Sequence, residues 1–362
     1  MINEGILKSD ERALLSLRSL YTKYGYTPFK MSKFEEYDLY VANKDFLVSD
    51  RVIAFNDTNG KLLALKPDVT LSIIKNTSCE AGEKTKVYYN ENVYRVSGAT
   101  GQFKEIMQTG LECIGDLDVS DIFEVLMLAV KSLGEISSDF VLDLSHMGIL
   151  SSFLKEAGAG ELFNKEILRL VAEKNSHEAL AVCKKYGVEE KTADKIVMLT
   201  STYGSPDKVL SVLLPLCESE DSKAAYSQLE KLSQLLFAAK LADKVRIDFS
   251  VAGNMSYYNG IVFRGFVSGI SEGVLSGGEY GRLLLNMGKK QDAIGFAIYL
   301  DLLSELDFET KEYDVDVFLL YDESTSPILL LEKKNDLASL GYSVTSGKVV
   351  PKKLRCREIL EM

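Results

Sequence analysis

Residues 92–115, NVYRVSGATGQFKEIMQTGLECIG, carry side chains that are well placed to do chemistry. The segment reads as two strands around a glycine-containing loop, and Arg95 comes at the end of the first strand. A guanidinium in that place is suited to hold a phosphate or a carboxylate by paired hydrogen bonds. Gln108 and Glu112 lie four residues apart in the second strand, so its two-residue period places them on one face.

Composition argues against several classes of function. The 362 residues carry a formal net charge of -11, which repels a polyanion, and the only basic run of note is the short PKKLRCR. The sequence has no apolar run of the roughly 18 residues that a membrane span needs, and its first residues do not resemble a signal peptide. We therefore expect a cytoplasmic protein that binds neither nucleic acid nor membrane.

Metal-ligating residues show no useful spacing. The five cysteines are odd in number and include no CxxC pair, so neither a disulfide framework nor a zinc site is predicted. His146 and His177 have no partner at ligand spacing and receive no catalytic role. We also find no phosphoribosyl-pyrophosphate loop. The sequence therefore predicts no metal, no cofactor and no catalytic residue.

Alternating helix and strand patterns surround the hairpin. An amphipathic helix is predicted over residues 10–25, where glycine and proline in YGYTP end it. Strands are predicted at KLLALK, KVYYNENVYRV, EIMQTGLECIG and DFVLDLSHM. Residues 118–133 begin with capping side chains and continue at helical period, so a helix should pack against those strands. The first part of the chain is therefore α+β.

The later chain divides into three parts. Residues from about 151 to 241 are helical almost throughout and predict an insertion. Strands resume at KVRIDFSV, GIVFRGFV, EGVLSGG and AIGFAIYL, and residues 313–362 read as a strand, a helix and a strand. We expect a core of residues 1–312 that includes the insertion, followed by a small βαβ-like unit over 313–362.

The motifs resemble a known family in their order. FEEYDLY, LALKPDVT, the 92–115 segment, SYYNGIVFRGF, SGGEYGRL and AIGFAIYLDLL are together similar to the catalytic core of histidyl-tRNA synthetase, over roughly residues 10–305. The resemblance implies a class II aminoacyl-tRNA synthetase-like antiparallel sheet flanked by helices, in a core that self-associates as a dimer. The last 50 residues are about half the length of that family's anticodon-binding domain.

The resemblance also implies a nucleotide site with arginines at four places, and only the first is present, as Arg95. The other motif positions hold Gln102, Gly253, and Asp301 with Leu302, and Tyr299 stands where a glycine would admit the nucleotide. Losing one preorganised charge contact commonly costs roughly 100-fold to 1000-fold in rate. We therefore expect no adenylate formation by this chain.

The motif SGGEYG departs from the family as well. Glu279 and Gly281 stand where the resemblance leads us to expect arginine and aspartate. Gly277 and Gly278 remain suited to a tight strand turn, because glycine tolerates backbone conformations that other residues avoid.

The amino-acid half of the family's pocket is better preserved. By resemblance, Asp68, Thr70 and Gln108 stand where the family holds the α-amino group of histidine. Tyr257 and Tyr258 alternate along their strand, so only one of them can face a pocket. The predicted histidine-binding residues are Asp68, Thr70, Arg95, Gln108, Glu112, Tyr257 and Tyr258.

Plainer interpretations of these residues stay open. Asp68 follows a proline and suits a turn or a helix cap. Gln108 and Glu112 could lie on a solvated face of the sheet. Arg95 could pair with Glu105 or Glu112 across the hairpin, or brace the 97–104 loop.

Three classes of function follow from the resemblance. Within the superfamily the chain looks most like the regulatory subunits of ATP phosphoribosyltransferase, which are non-catalytic paralogues of the synthetase. They partner a short-form catalytic subunit at the first step of histidine biosynthesis, which implies a hetero-oligomer and L-histidine as a feedback effector. The alternatives are a synthetase-like amino-acid sensor for another partner and a histidine-activating enzyme.

Overall fold

The computed structural model describes residues 7–47, 52–77, 80, 82–96, 100–251, 258–306 and 312–362, which form two compact units, Met1–Leu306 and Asp307–Met362. The helices are α1 (Ser9–Lys23), α2 (Tyr37–Ala42), α3 (Thr70–Asn76), α4 (Val119–Ile136), α5 (Met147–Ala157), α6 (Glu161–Ala172), α7 (Ser176–Lys185), α8 (Glu190–Ser201), α9 (Pro206–Leu213), α10 (Glu220–Ala238), α11 (Gly281–Asn286) and α12 (Pro327–Ser339). The strands are β1 (Thr27–Pro28), β2 (Phe34–Glu36), β3 (Ala54–Asn56), β4 (Leu62–Leu65), β5 (Lys84–Val96), β6 (Phe103–Gly115), β7 (Phe140–His146), β8 (Tyr203–Gly204), β9 (Val245–Asp248), β10 (Ile261–Val267), β11 (Leu275–Glu279), β12 (Asp292–Tyr299), β13 (Val315–Leu320), β14 (Val344–Gly347) and β15 (Cys356–Glu361).

A large sheet organises the first unit. Within the described residues, nine strands pair in the order β1-β5-β6-β12-β11-β10-β7-β9-β8. The strands from β5 to β7 in this order pair antiparallel, whereas β1 joins β5 and β9 joins β7 in parallel. The predicted α+β class, with a sheet flanked by helices, is confirmed, and the two parallel pairings make the sheet mixed.

Both faces of the sheet are covered. Along β6, Leu111 and Cys113 belong to a cluster with residues of α1 and α4, while Ile114 belongs to a second cluster with residues of α3 and α11. Successive side chains of a strand point to opposite faces, so Gln108 and Glu112 lie on the α3 and α11 face with Ile114. That face carries the site described below.

Helix α4 begins where the sequence places a cap. The Asp118 carboxylate accepts from the backbone N–H of Ser120 at 2.7 Å and of Asp121 at 3.2 Å, which satisfies two donors of the first turn. The helix then buries one apolar face, which includes Val125, Leu126, Ala129 and Leu133. Among the described residues, no helix combines the length and the apolar character that crossing a membrane requires.

Two small sheets contain strands that were not predicted, namely β2, β3 and β15. In the first unit, β4 pairs with both β2 and β3, whose strands have only three residues each and are largely exposed. In the second unit, β13 pairs in parallel with β14 and also with β15. The sequence around β15 reads as a basic run, so its strand character was missed.

The helices from α5 to α10 lie between β7 and β9 in the chain, with the short strand β8 among them. Lys195 of α8 ties three parts of this helical insertion together, and its side chain is only 4% exposed. Its Nζ lies 2.8 and 3.0 Å from the two carboxylate oxygens of Glu156 and 2.9 Å from Glu218 Oε2. A buried cation with three such contacts fixes the packing of the helices around it.

We expect Lys195→Met to lower the unfolding temperature by about 2 °C, the lower end of the shift that a loss of about 1 kcal/mol produces in domains of about 150–250 residues, because the unit Met1–Leu306 is longer. The loss stays modest because both carboxylates keep some contact with water. Lys191→Met is the matched control, since Lys191 also pairs with Glu218 but is 62% exposed. Calorimetric scans of both variants measure the difference, and equal effects would contradict the assignment.

Candidate ligand-binding site

A cavity of about 390 Å³ lies on the α3 and α11 face of the large sheet, within the size range of small-molecule sites. Its lining includes all six predicted histidine-binding residues that the structure describes, namely Asp68, Thr70, Arg95, Gln108, Glu112 and Tyr258. The seventh, Tyr257, lies outside the described residues, as does Gly253. The structure therefore brings these six side chains to one place, which rules out a solvated sheet face for Gln108 and Glu112.

Two neighbouring strands form the floor of the cavity. The register pairs Glu112 with Gly295, Gly110 with Ala297, and Gln108 with Tyr299. A Cβ atom on Gly295 would come within 1.7 Å of Glu112 Oε2, so only glycine leaves room for the carboxylate there. Polar side chains at both ends and small residues between them create the space for a ligand.

Glu112 is the most constrained group in the cavity. It is 2% exposed, Thr70 Oγ1 donates to its Oε1 at 2.9 Å, and the Tyr280 hydroxyl donates to its Oε2. Burial raises the pKa of Glu112 to about 8, although both hydroxyl donors oppose the shift. The site thus holds a carboxyl group that exchanges its proton near neutral pH.

Asp68 serves as a cap and also faces the cavity. Its carboxylate accepts from the Leu71 backbone N–H at 3.0 Å, in the first turn of α3. The cap interpretation was therefore correct, and the cavity lining shows that it does not exclude a binding role. Burial raises the pKa of Asp68, and the Arg95 charge acts in the opposite direction.

Gln108 carries an unused donor. Its side chain is only 3% exposed, and its amide nitrogen has no hydrogen-bond partner among the described residues. Leaving a buried N–H group unpaired costs roughly 1–3 kcal/mol, so such groups usually meet a ligand or a water. The amide of Gln108 therefore indicates where a ligand acceptor would lie.

Arg95 braces the wall of the cavity. Its Nε donates to the Pro67 carbonyl at 3.0 Å, directly before Asp68. Glu105 instead accepts from Asn92 and Tyr94, and among the described residues no ion pair joins Arg95 to Glu105 or Glu112. The alternative of a pairing across the hairpin, which the sequence left open, is therefore not seen among the described residues.

Tyr299 stands at the end of the cavity where the resemblance implies a nucleotide. Tyr299 lines the cavity beside Gln108, as the register requires. Beyond it, Lys104 Nζ lies 3.2 Å from Asp301 Oδ2, so this cation is paired internally. The arrangement lacks, among the described residues, the set of arginines that a polyphosphate requires.

Sequence reasoning missed Tyr280 and misassigned the glycines before it. Tyr280 is two periods beyond Ser276, which also lines the cavity, so strand alternation from Ser276 could have found it. Gly277 and Gly278 lie inside β11 rather than in a turn. They are needed for close packing, since a Cβ on Gly278 would come within 2.8 Å of the Tyr258 ring.

The mixed sheet, its long central hairpin and the polar cavity on one face define a class II aminoacyl-tRNA synthetase-like fold. The family model for histidyl-tRNA synthetase matches residues 6–303. The chain belongs to this family.

Several relatives within the superfamily carry another name. An "ATP phosphoribosyltransferase regulatory subunit" from Alkaliphilus metalliredigens is 26% identical over 286 residues, covering 78% of this chain and 72% of that protein. A solved "ATP phosphoribosyltransferase regulatory subunit/histidyl-tRNA synthetase" from Bacillus halodurans C has a TM-score of 0.78 at 21% identity, covering 98% and 93% of the two chains. A chain of the ATP phosphoribosyl transferase (HisG:HisZ) complex from Thermotoga maritima has a TM-score of 0.63 at 22% identity, covering 79% and 96%. The two structural likenesses concern the fold.

Stability should depend on pH through Glu112. Its pKa rises from an ordinary 4.5 to about 8 in the folded chain, so the folded state keeps a proton that the unfolded state has lost between these values. Stability is therefore present at low pH and falls as the pH rises through that window. We expect the unfolding temperature of Glu112→Gln to fall less than that of the wild type as the pH rises from about 5 to about 8.5.

Thermal scans across that range measure this effect, with Glu105→Gln as the matched control on the same strand. Some dependence should remain in Glu112→Gln, because burial also raises the pKa of Asp68 and of Glu279. If the unfolding temperatures of Glu112→Gln and the wild type changed in parallel over this pH range, Glu112 would be ionised throughout it, which would contradict the prediction.

Proposed function

We propose that this chain is a non-catalytic regulatory subunit of ATP phosphoribosyltransferase, which a short-form catalytic subunit needs for activity and through which L-histidine exerts feedback. One observation carries the proposal. The cavity keeps the buried carboxyl and amide groups suited to an amino acid, and its lining includes Tyr299, while Lys104 lies outside the lining and is paired with Asp301. The relatives named above support the same role.

Free L-histidine fits the chemistry of the cavity. Asp68 and Glu112 can accept hydrogen bonds from an ammonium group and an imidazole N–H, and the Gln108 amide can donate to an acceptor. The Arg95 guanidinium lines the same cavity and can offset the ligand's carboxylate. A single histidine molecule can thus engage both the carboxyl groups of Asp68 and Glu112 and the positively charged Arg95.

Adenylation does not fit this site. The reaction moves charge onto the phosphates, and a synthetase stabilises that charge with preorganised cations. Here Arg95 is the one arginine that lines the cavity among the described residues, and Lys104 is paired with Asp301. This supports a binding role over the alternative of a histidine-activating enzyme.

The partners in the proposal are a short-form catalytic chain and a second copy of this chain. The small sheet of β2, β4 and β3 exposes apolar side chains. Among them, Phe34 and Phe55 pack edge to face, with their ring centroids 5.7 Å apart. This surface is one on which self-association can be tested. The remaining alternative, an amino-acid sensor for a different partner, predicts histidine binding without effect on any phosphoribosyltransferase.

Adding the purified chain to a short-form ATP phosphoribosyltransferase catalytic chain should produce or strongly raise phosphoribosyl transfer, and histidine should inhibit the mixture. Activity is followed by product formation, and co-elution in size-exclusion chromatography reports the complex. The chain by itself should show no histidine-dependent ATP–pyrophosphate exchange. Exchange above background, or a mixture no more active than the catalytic chain alone, would reject the proposal.

Histidine binding should depend on Glu112. The ammonium group of a bound histidine favours the ionised form of Glu112, and a hydrogen bond between charged groups is worth roughly 1.5–3 kcal/mol, so we expect Glu112→Gln to weaken histidine binding by about 10-fold to 100-fold. Calorimetric titration measures the affinity, and inhibition curves of the assembled complex should shift by the same factor. Glu105→Gln serves again as the control. If Glu112→Gln changes neither quantity, the cavity is not the feedback site.

A further inference from the structure

The end of strand β11 separates the cavity from the helical insertion. Ser276 and Tyr280 line the cavity, and the Tyr280 hydroxyl donates to Glu112. Glu279 is the neighbouring residue, so strand alternation points its side chain to the opposite face of the sheet. There it receives a hydrogen bond from Gln228 of α10. Adjacent residues therefore contact the ligand site and the insertion.

A continuous polar chain extends from Glu279 into the insertion. Gln228 Nε2 donates to Glu279 Oε2 at 3.2 Å, and Gln228 Oε1 lies 2.7 Å from His146 Nε2. The Gly148 backbone N–H donates to His146 Nδ1 at 3.0 Å in the first turn of α5. The chain thus links β11 to both α10 and α5.

Two backbone N–H groups fix the direction of every hydrogen bond along this series of polar side chains. Because Gly148 N–H occupies Nδ1 of His146, the ring proton is on Nε2 and donates to the Gln228 oxygen. The Gln228 amide nitrogen then faces residue 279. At the other end, the Ile261 N–H donates to Glu279 Oε2 at 2.7 Å, so residue 279 must accept on both sides. Both donors reach Oε2, and Gln228 Nε2 also lies 3.4 Å from Oε1, so an amide at residue 279 that accepted both hydrogen bonds would turn its own NH2 group towards the Gln228 amide nitrogen.

The local packing is built around these side chains. A Cβ on Gly260 would lie 2.2 Å from Glu279 Oε2, and a Cβ on Gly148 would lie 2.9 Å from the His146 ring and 3.0 Å from Ala225 of α10. Glycine at both positions leaves room for the polar chain. The family resemblance implies an arginine at position 279, so this carboxylate is a feature in which the protein departs from the family's pattern.

We infer that Glu279 is a positioning residue that ties α5 and α10 to the wall of the cavity, so that occupation of the cavity changes the stability of those helices. A ligand that donates to Glu112 shares its oxygens with the Tyr280 hydroxyl. Any shift of Tyr280 moves the adjacent Glu279 and with it the bonds to Gln228. The inference rests on the proposed function for the identity of the ligand only.

The experiment compares four forms of the full-length chain by amide hydrogen exchange and by calorimetric titration with L-histidine. Glu279→Gln removes the negative charge that both donors share and sets an NH2 group against the Gln228 amide nitrogen, which weakens the hydrogen bonds along the polar chain. The double variant Gln228→Glu with Glu279→Gln exchanges the two groups and satisfies every donor again. Tyr280→Phe removes one hydroxyl on the cavity side and perturbs the wall without any ligand.

We expect histidine to slow amide exchange at the starts of α5 and α10 in the wild type, and not in Glu279→Gln. Histidine affinity should fall by at least about 5-fold in Glu279→Gln, the lower end of typical allosteric coupling, and recover in the double variant. Tyr280→Phe without ligand should speed exchange at the start of α5 and leave α7 unchanged.

Each alternative result is decisive. If Glu279→Gln lowers only the unfolding temperature, with histidine affinity and the exchange response as in the wild type, the polar chain is purely structural and the inference is wrong. If the wild type binds no histidine, the proposed function fails, and the Tyr280→Phe comparison then decides the coupling by itself. Unchanged amide hydrogen exchange in α5 and α10 of Tyr280→Phe would overturn the inferred coupling between the cavity and these helices.

Discussion

The first unit is organised around one buried carboxyl group. Glu112 takes hydrogen bonds from Thr70 at the start of α3 and from Tyr280 ahead of α11, so three distant parts of the chain meet at two oxygen atoms. An unpaired carboxylate at that depth would cost several kcal/mol, and each hydroxyl reduces the cost. Gly295 follows from the same constraint, because any side chain there would collide with Glu112.

At one end of the cavity the groups suited to a ligand are also groups that hold the structure together. The end near Glu112 is held by groups that also support the structure, since Asp68 caps α3 and Thr70 opens it. Away from that end, Lys104 and Asp301 form a partly exposed ion pair, and such a pair contributes little to stability.

Strand alternation predicted that Gln108 and Glu112 share a face, and the helical period predicted α4, because both patterns extend over many residues. Sequence reasoning failed where the pattern is short or depends on distant partners. The strands β2 and β3 have three residues each, and β15 carries charges that conceal its apolar positions. The roles of Tyr280 and Gly295 arise from contacts with Glu112, which lies far away in the sequence; strand alternation places Tyr280 on the face of Ser276 but does not reveal this partner.

The register of the floor strands has a consequence for how the protein folds. Strands β5 and β6 pair along their whole length through contacts close in sequence, whereas Glu112 meets Gly295 only across a gap that contains the entire helical insertion. Local contacts close at a small entropic cost and form early, while distant ones form late. We therefore expect the hairpin with Gln108 and Glu112 to form early in folding, and the cavity to be completed only when β12 docks beside it.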